Sequence, residues 1–167
     1  DFLTDPGKTE GKPFVPVLPP VLIKPEYMEA MGFLYGEAAD DAYYLEKDDL
    51  YLVGTSEQAI GPMHAGEVIN EKDLPLRYTG FSTCFRREAG SYGKDTKGIL
   101  RVHQFDKVEL FSFCHPEKSQ EEHELLVQIE EKLWQALDIP YQVVQLSTGD
   151  MSRPSASTID IEAWMPG

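Results

Sequence analysis

The chain is poor in cysteine, in positive charge and in long apolar runs. Its two cysteines, Cys84 and Cys114, lie thirty positions apart and outside any CxxC spacing. That excludes a disulfide scaffold or zinc cluster as the organising device, and both residues are expected as free thiols. No apolar stretch approaches the roughly 20 residues of a membrane-spanning helix. Residues 1–11 lack the basic start and apolar core of a secretory leader, so a cytoplasmic protein without membrane contact is expected. Lysine and arginine number 15 against 29 aspartates and glutamates, for a formal charge of −14, which repels a phosphate backbone and argues against the whole chain being a nucleic-acid binder. Internal repeats and low-complexity tracts are missing as well. What is present is an ordinary globular composition, 41% hydrophobic and 11% aromatic over 167 residues, enough for one domain with a hydrophobic core.

The charge is uneven. Between Arg86 and Lys107 there are six basic residues (Arg86, Arg87, Lys94, Lys97, Arg101, Lys107) and three acidic ones (Glu88, Asp95, Asp106), a local +3 against −17 for the rest. A confined basic island in an acidic chain suits a small anion such as a nucleotide phosphate, and it equally suits a loop whose charges face water.

Proline and glycine punctuate the first half. Pro16, Pro19 and Pro20 rule out a helix over residues 14–23 and allow an extended or edge strand. Pro25 near a helix start and Gly32 at its stop predict a short helix over residues 25–31. The acidic, tyrosine-bearing residues 38–49 read as exposed, and residues 50–53 as a strand ended by Gly54. Helical spacing runs over residues 56–69, with Gly61-Pro62 expected to bend or delay it. Residues 77–86 and 99–113 show strand-like alternation about a polar, glycine-bearing loop, which predicts a long antiparallel hairpin. Ser119-Gln120-Glu121-Glu122 has the form of a capping box, opening a helix whose Leu125, Leu126, Ile129, Leu133, Trp134 and Leu137 recur at helical spacing before Asp138 and Pro140. Residues 141–146 and 159–164 complete the set as strands. Strands followed by helices in this order predict an α+β domain, an antiparallel sheet with flanking helices.

The hairpin is where chemistry can gather. With Arg86 at the end of one strand and Arg101, His103 and Phe105 alternating along the other, one face can present them together. An arginine fork suits phosphate or carboxylate, and an aromatic plane stacks on a base. Glu88 joins that face if its strand continues, and Glu109 shares the parity of Phe105. Taken singly, each residue has a plainer reading: Arg86 paired with a carboxylate, Phe105 in the core, Glu109 solvated.

The run CFRREAGSYGKDTKGILRVHQFDKVELF, residues 84–111, closely resembles the second signature motif of class II aminoacyl-tRNA synthetases in its seryl form. The resemblance extends to FVPVLPPVLI (14–23), similar to the end of the first motif, to LYLVGTSEQA (50–59), similar to the serine-binding TxE loop, and to STGDMSRPSASTIDIEAWMPG (147–167), similar to the segment before the third motif. These matches fall in the family's order and cover nearly the whole chain.

The resemblance implies a class II catalytic fold and ATP-dependent activation of L-serine followed by transfer to tRNA(Ser). It implies that Arg86 contacts the ATP α-phosphate and the serine carboxylate, that Glu88 holds the adenine amino group, that Phe105 stacks on adenine and that Arg101 contacts phosphate. Thr55 and Glu57 would surround the substrate amino group and Glu109 would lie near its side chain. Glu162 would be an ATP-associated acid and the protein's ligand to Mg2+. No protein nucleophile is implied, which leaves His103 as a positioned hairpin residue. The loop at residues 87–98 faces either the tRNA acceptor end or solvent. Residues 1–167 would be part of the catalytic domain, from the end of the first motif through the second and stopping before the third, without the N-terminal tRNA-binding arm. The site is then incomplete, and the whole enzyme is expected as a homodimer. The alternatives are a synthetase-like ligase charging a carrier protein and an inactive paralogue with a binding role.

Overall fold

The computed structural model describes residues 3–9, 13–89, 98 and 101–164. The predicted α+β organisation is present, with its strands divided among three small sheets. The first joins β1 (Val15–Val17), β5 (Leu76–Phe85) and β6 (Gln104–Phe113); the second joins β2 (Leu22–Ile23), β4 (Leu50–Leu52) and β3 (Tyr43–Leu45); the third is the hairpin β7 (Tyr141–Gln145) and β8 (Ile159–Ala163). All pairings are antiparallel except β1 with β5, where Val15 lies opposite Tyr78. Pro16 cannot donate to a ladder and so sits on an edge strand. The extended segment over residues 14–23 therefore serves two sheets, with Pro19-Pro20 between β1 and β2.

The helices are α1 (Pro25–Ala30), α2 (Glu37–Asp41), α3 (Glu57–Ile60) and α4 (Ser119–Ala136). The helix expected over residues 56–69 stops early. α3 lasts four residues and passes into a 3-10 turn over Gly61–His64, because Pro62 has no N–H to continue the ladder. The acidic stretch 38–49 is also more structured than its composition suggests, since it holds α2 and β3 and its Asp41 and Tyr43 are half-buried.

The long hairpin of β5 and β6 organises the rest. Cys84 pairs with Phe105, Ser82 with Lys107, Gly80 with Glu109 and Tyr78 with Phe111, so these eight residues share one face. On that face Gly80 receives α3: a Cβ there would lie 2.6 Å from Ile60 Cδ1 and 2.8 Å from Ser56 Oγ. With glycine at this position the Ile60 and Ser56 side chains of that turn settle directly onto the strand.

The opposite face meets α4 over Phe14, Leu125 and Ile129, with Leu3, Leu110 and Leu126 packed around them. A second core of Ile23, Met28 and Val53 holds α1 against β4. The capping box is not formed as expected. Ser119 is the first helical residue and donates to Pro116 O at 2.9 Å, while Glu122 leaves the helix end to accept from Arg77 (Nε 2.9 Å, Nη2 2.6 Å) and from Ser112 Oγ at 2.7 Å. The tertiary ion pair wins because it satisfies a nearly buried guanidinium, whereas a helix terminus open to water can be solvated.

Candidate active site at the end of the long hairpin

Arg86 follows the last residue of β5. Its backbone N–H donates to His103 O at 3.0 Å, and His103 Nδ1 lies 3.0 Å from Arg86 O. A carbonyl only accepts, so that nitrogen carries the proton. Tyr43 Oη lies 3.2 Å from the same nitrogen, and His103 is the positioned hairpin residue expected. The Arg86 side chain donates from Nε to Gly54 O at 3.1 Å and lies over the Phe105 ring, 5.3 Å from its centroid. No carboxylate pairs with it among the described residues, and its two terminal amino groups have no hydrogen-bond partner there. A half-buried guanidinium fastened by one nitrogen, with its fork unspent, is suited to a planar anion. Phe105 is half-buried beneath it, so neither of the plainer readings of this pair holds.

A second group lies one strand pair deeper. Thr55 Oγ1 donates to Glu109 Oε2 at 2.5 Å, Lys107 Nζ lies 2.6 Å from that same oxygen, and Lys107 also donates to Thr55 Oγ1 at 3.0 Å. Glu109 is thus bonded and largely covered, not solvated. Glu57 stands beside them, its backbone N–H 3.3 Å from Thr55 Oγ1. Burial holds the Glu57 carboxyl above the usual carboxylate range, the negative charge of Glu109 pushes in the same direction, and Lys107 pulls back. A cavity of about 170 Å³, lined in part by Met28, Phe33, Gly54, Thr55 and Arg86, opens next to this group. It is smaller than the ~300–1,000 Å³ pockets that take drug-sized ligands, and it shares Thr55 with this group.

A third pair replaces the strand face expected for Glu88, Arg101 and His103. β6 begins at Gln104, so Arg101 and His103 precede it, and β5 ends at Phe85, before Glu88. Glu88 instead has a left-handed backbone, φ +53°. Asp41 clamps both of its neighbours, accepting from Arg87 N at 2.9 Å through its carbonyl and from Ala89 N at 2.8 Å through its carboxylate. Arg87 is held by Ala42 O at 3.1 Å and by the Tyr43 ring, 4.3 Å from its guanidinium carbon. The clamp leaves Glu88 Oε2 2.6 Å from Arg101 Nε. Residues 90–97, 99 and 100, most of the loop between the strands, lie outside the described residues.

Glu162 is exposed on β8 and accepts from Gln142 Nε2 at 2.6 Å. Among the described residues no hydrogen bond or ion pair joins it to Arg86, Glu88 or Arg101. Seven of the eight expected site residues thus fall into three groups on neighbouring segments, with Glu162 on a separate hairpin. Two participants, Lys107 and Asp41, were not among them. Lys107 could have been found, because it has the parity of Phe105 and Glu109; Asp41 had no signal within its acidic tract.

Comparison with known proteins gives the arrangement a context. The model of the "tRNA synthetase class II core domain (G, H, P, S and T)" family matches residues 43–167. The serine–tRNA ligase of Acidothermus cellulolyticus is 55% identical over 92% of this chain, which spans 36% of that protein. That of Corynebacterium efficiens is 49% identical over 95% of the chain, which spans 38% of it. Among solved structures, the seryl-tRNA synthetase from Pyrococcus horikoshii complexed with ATP superposes with a TM-score of 0.85 at 50% identity, over 92% of this chain and 34% of that one. The cytoplasmic serine–tRNA ligase from Naegleria fowleri in complex with AMP gives 0.83 at 38% identity, over 90% and 35%. The chain therefore spans little more than a third of the length of these relatives.

Proposed function

The chain belongs to the class II tRNA synthetase core-domain family, and from that premise we propose that it supplies the serine-activating part of a serine–tRNA ligase. The observation that carries this reading is the unspent Arg86 fork lying over Phe105, with the Thr55–Glu109 pair beside it. In the reaction, a serine carboxylate oxygen attacks the α-phosphorus of ATP, the bond to the β-phosphate breaks, and seryl-adenylate and pyrophosphate form. The tRNA ribose hydroxyl then attacks the seryl carbonyl and AMP leaves.

Arg86 holds the two reacting anions together, and its charge opposes the negative charge that builds on the phosphoryl oxygens. Phe105 offers a ring to the adenine, Glu88 an acceptor to its amino group and Arg101 a cation to the phosphates. Thr55, Glu57 and Glu109 receive the amino and hydroxyl groups of serine. A site built to bond a hydroxyl rejects alanine, which leaves those polar groups unpaired. The metal is Mg2+, which would neutralise phosphate charge. Among the described residues no three His, Cys, Asp or Glu side chains are grouped to hold a metal. A lone carboxylate such as Glu162 is the donor set that suits an ion arriving on nucleotide phosphates with several of its waters. For the whole protein the reading extends to tRNA(Ser) as acceptor, a homodimer and a cytoplasmic location; no helix among the described residues is long and apolar enough to cross a membrane.

The test is ATP–pyrophosphate exchange by the full-length protein with serine, threonine and alanine. Exchange should depend on serine, with alanine down by roughly 10⁴-fold or more. Equal exchange with all three overturns the proposal. Serine-dependent exchange without charging of tRNA identifies the carrier-protein ligase instead, and absence of exchange the inactive paralogue.

A further inference from the structure

We infer that Lys107 is a positioning residue of the amino-acid site, whose ammonium aims the Thr55 hydroxyl and the Glu109 carboxylate as a ready receptor for the polar groups of the substrate. The inference rests on the serine-activating reading above. A lysine ammonium only donates, so Thr55 Oγ1 accepts from Lys107 at 3.0 Å and turns its own proton toward Glu109 Oε2 at 2.5 Å. Lys107 closes the triangle on that same oxygen at 2.6 Å. Glu109 Oε1 is left with no hydrogen bond among the described residues, which makes it the oxygen open to a substrate hydroxyl or ammonium. Without Lys107 the Thr55 hydroxyl keeps only the 3.3 Å bond from Glu57 N and its own bond to Glu109, and the cation between Glu109 and Glu57 is gone.

The lysine comes from the strand itself, paired across the ladder with buried Ser82, so its position is set by the hairpin and not by a loop. The charged groups facing it are Glu109 on its own strand and Glu57 on α3, with Glu130 of α4 attracted at longer range. The raised Glu57 carboxyl supports the geometry, since Lys107 is the charge that opposes the rise. Loss of that charge lets Glu57 titrate at still higher pH.

The test is calorimetric binding of serine, and separately of ATP, to full-length protein carrying Lys107→Met or Lys107→Arg, from acidic to neutral pH. Lys107→Met should weaken serine binding roughly 10- to 100-fold, the range for hydrogen bonds to charged groups. ATP binding should be unmoved, and the acid limb of serine binding should shift to higher pH. Lys107→Arg should recover part of the loss. A merely structural role would weaken both ligands together, and a lysine that only competes with the substrate ammonium would tighten serine on removal; either result overturns the inference. Failure of the unsubstituted protein to bind serine sinks the ligase reading as well. Serine binding that Lys107→Met leaves unchanged sinks this inference alone.

Discussion

Two arginines mark the two ends of strand β5 and have opposite fates. Arg77 is nearly buried against Glu122, bonded through two of its nitrogens to both carboxylate oxygens, with Ser112 donating to the same carboxylate. Arg86 is half-buried, held by one backbone carbonyl and one aromatic ring, and meets no carboxylate among the described residues. The first is a closed electrostatic unit whose capacity is used inside the fold. Among the described residues the second keeps its charge unpaired and four of its N–H donors unused. Residue type says nothing of this difference; the partner does.

Removing a partner at the closed end carries the largest stability cost. Glu122→Ala takes the carboxylate from a nearly buried Arg77, which keeps its contact to Thr9 O, and should cost about 3–5 kcal/mol of stability, read as a lower urea midpoint with an unchanged slope. The exchange rate per folded molecule should stay near that of the parent. An unchanged midpoint would show that Arg77 finds another acceptor.

Removing Arg86 inverts the pattern. Among the described residues Arg86→Ala deletes no ion pair, only the bond to Gly54 O and the contact with Phe105, so the melting temperature should fall less than for Glu122→Ala, while serine activation in the full-length protein should fall roughly 10²- to 10³-fold, as for loss of one transition-state donor. A large loss of stability with little loss of rate would make Arg86 a second Arg77.

Glu57 is a half-buried carboxylate whose folded-state pKa is raised, chiefly by burial. Its contribution to stability is therefore whole below the ordinary glutamate range and is lost as pH rises through the raised value. Glutamine is neutral at every pH, so Glu57→Gln should raise the melting temperature slightly at neutral pH. The gain should vanish in acid, while serine binding weakens at neutral pH. Stabilisation that persists in acid would assign the effect to packing and not to charge.

Much of this was legible in the sequence, for reasons that differ by element. The hairpin was readable because period-two alternation over ten residues is a strong signal, and α4 because its apolar stripe recurs over 18 residues. Its N-terminus was misread, since Glu122 has the spacing of a capping box and nothing in the local sequence reveals that Arg77, 45 positions away, will claim it. The helix expected over residues 56–69 failed at the proline already noted as a break. In the candidate site, Thr55 and Glu57 were named through the family resemblance alone and Arg86, Phe105 and Glu109 through strand position as well, while Arg101 and Glu88 do not lie on the strand face that alternation predicts. Both lie past the strand ends, and the Asp41 clamp brings them together.

By itself the sequence determined the α+β elements, the family resemblance and the residue types that meet at the end of the hairpin, because periodicity and motif order are properties of the chain read in line. Only the tertiary structure decided which charges are satisfied. That Arg77 is closed and Arg86 open, that Lys107 stands between Thr55 and Glu109, and that Asp41 turns Glu88 left-handed are contacts between segments tens of residues apart. Such contacts depend on register and burial, and a charged side chain takes its meaning from the partner that desolvation forces it to find.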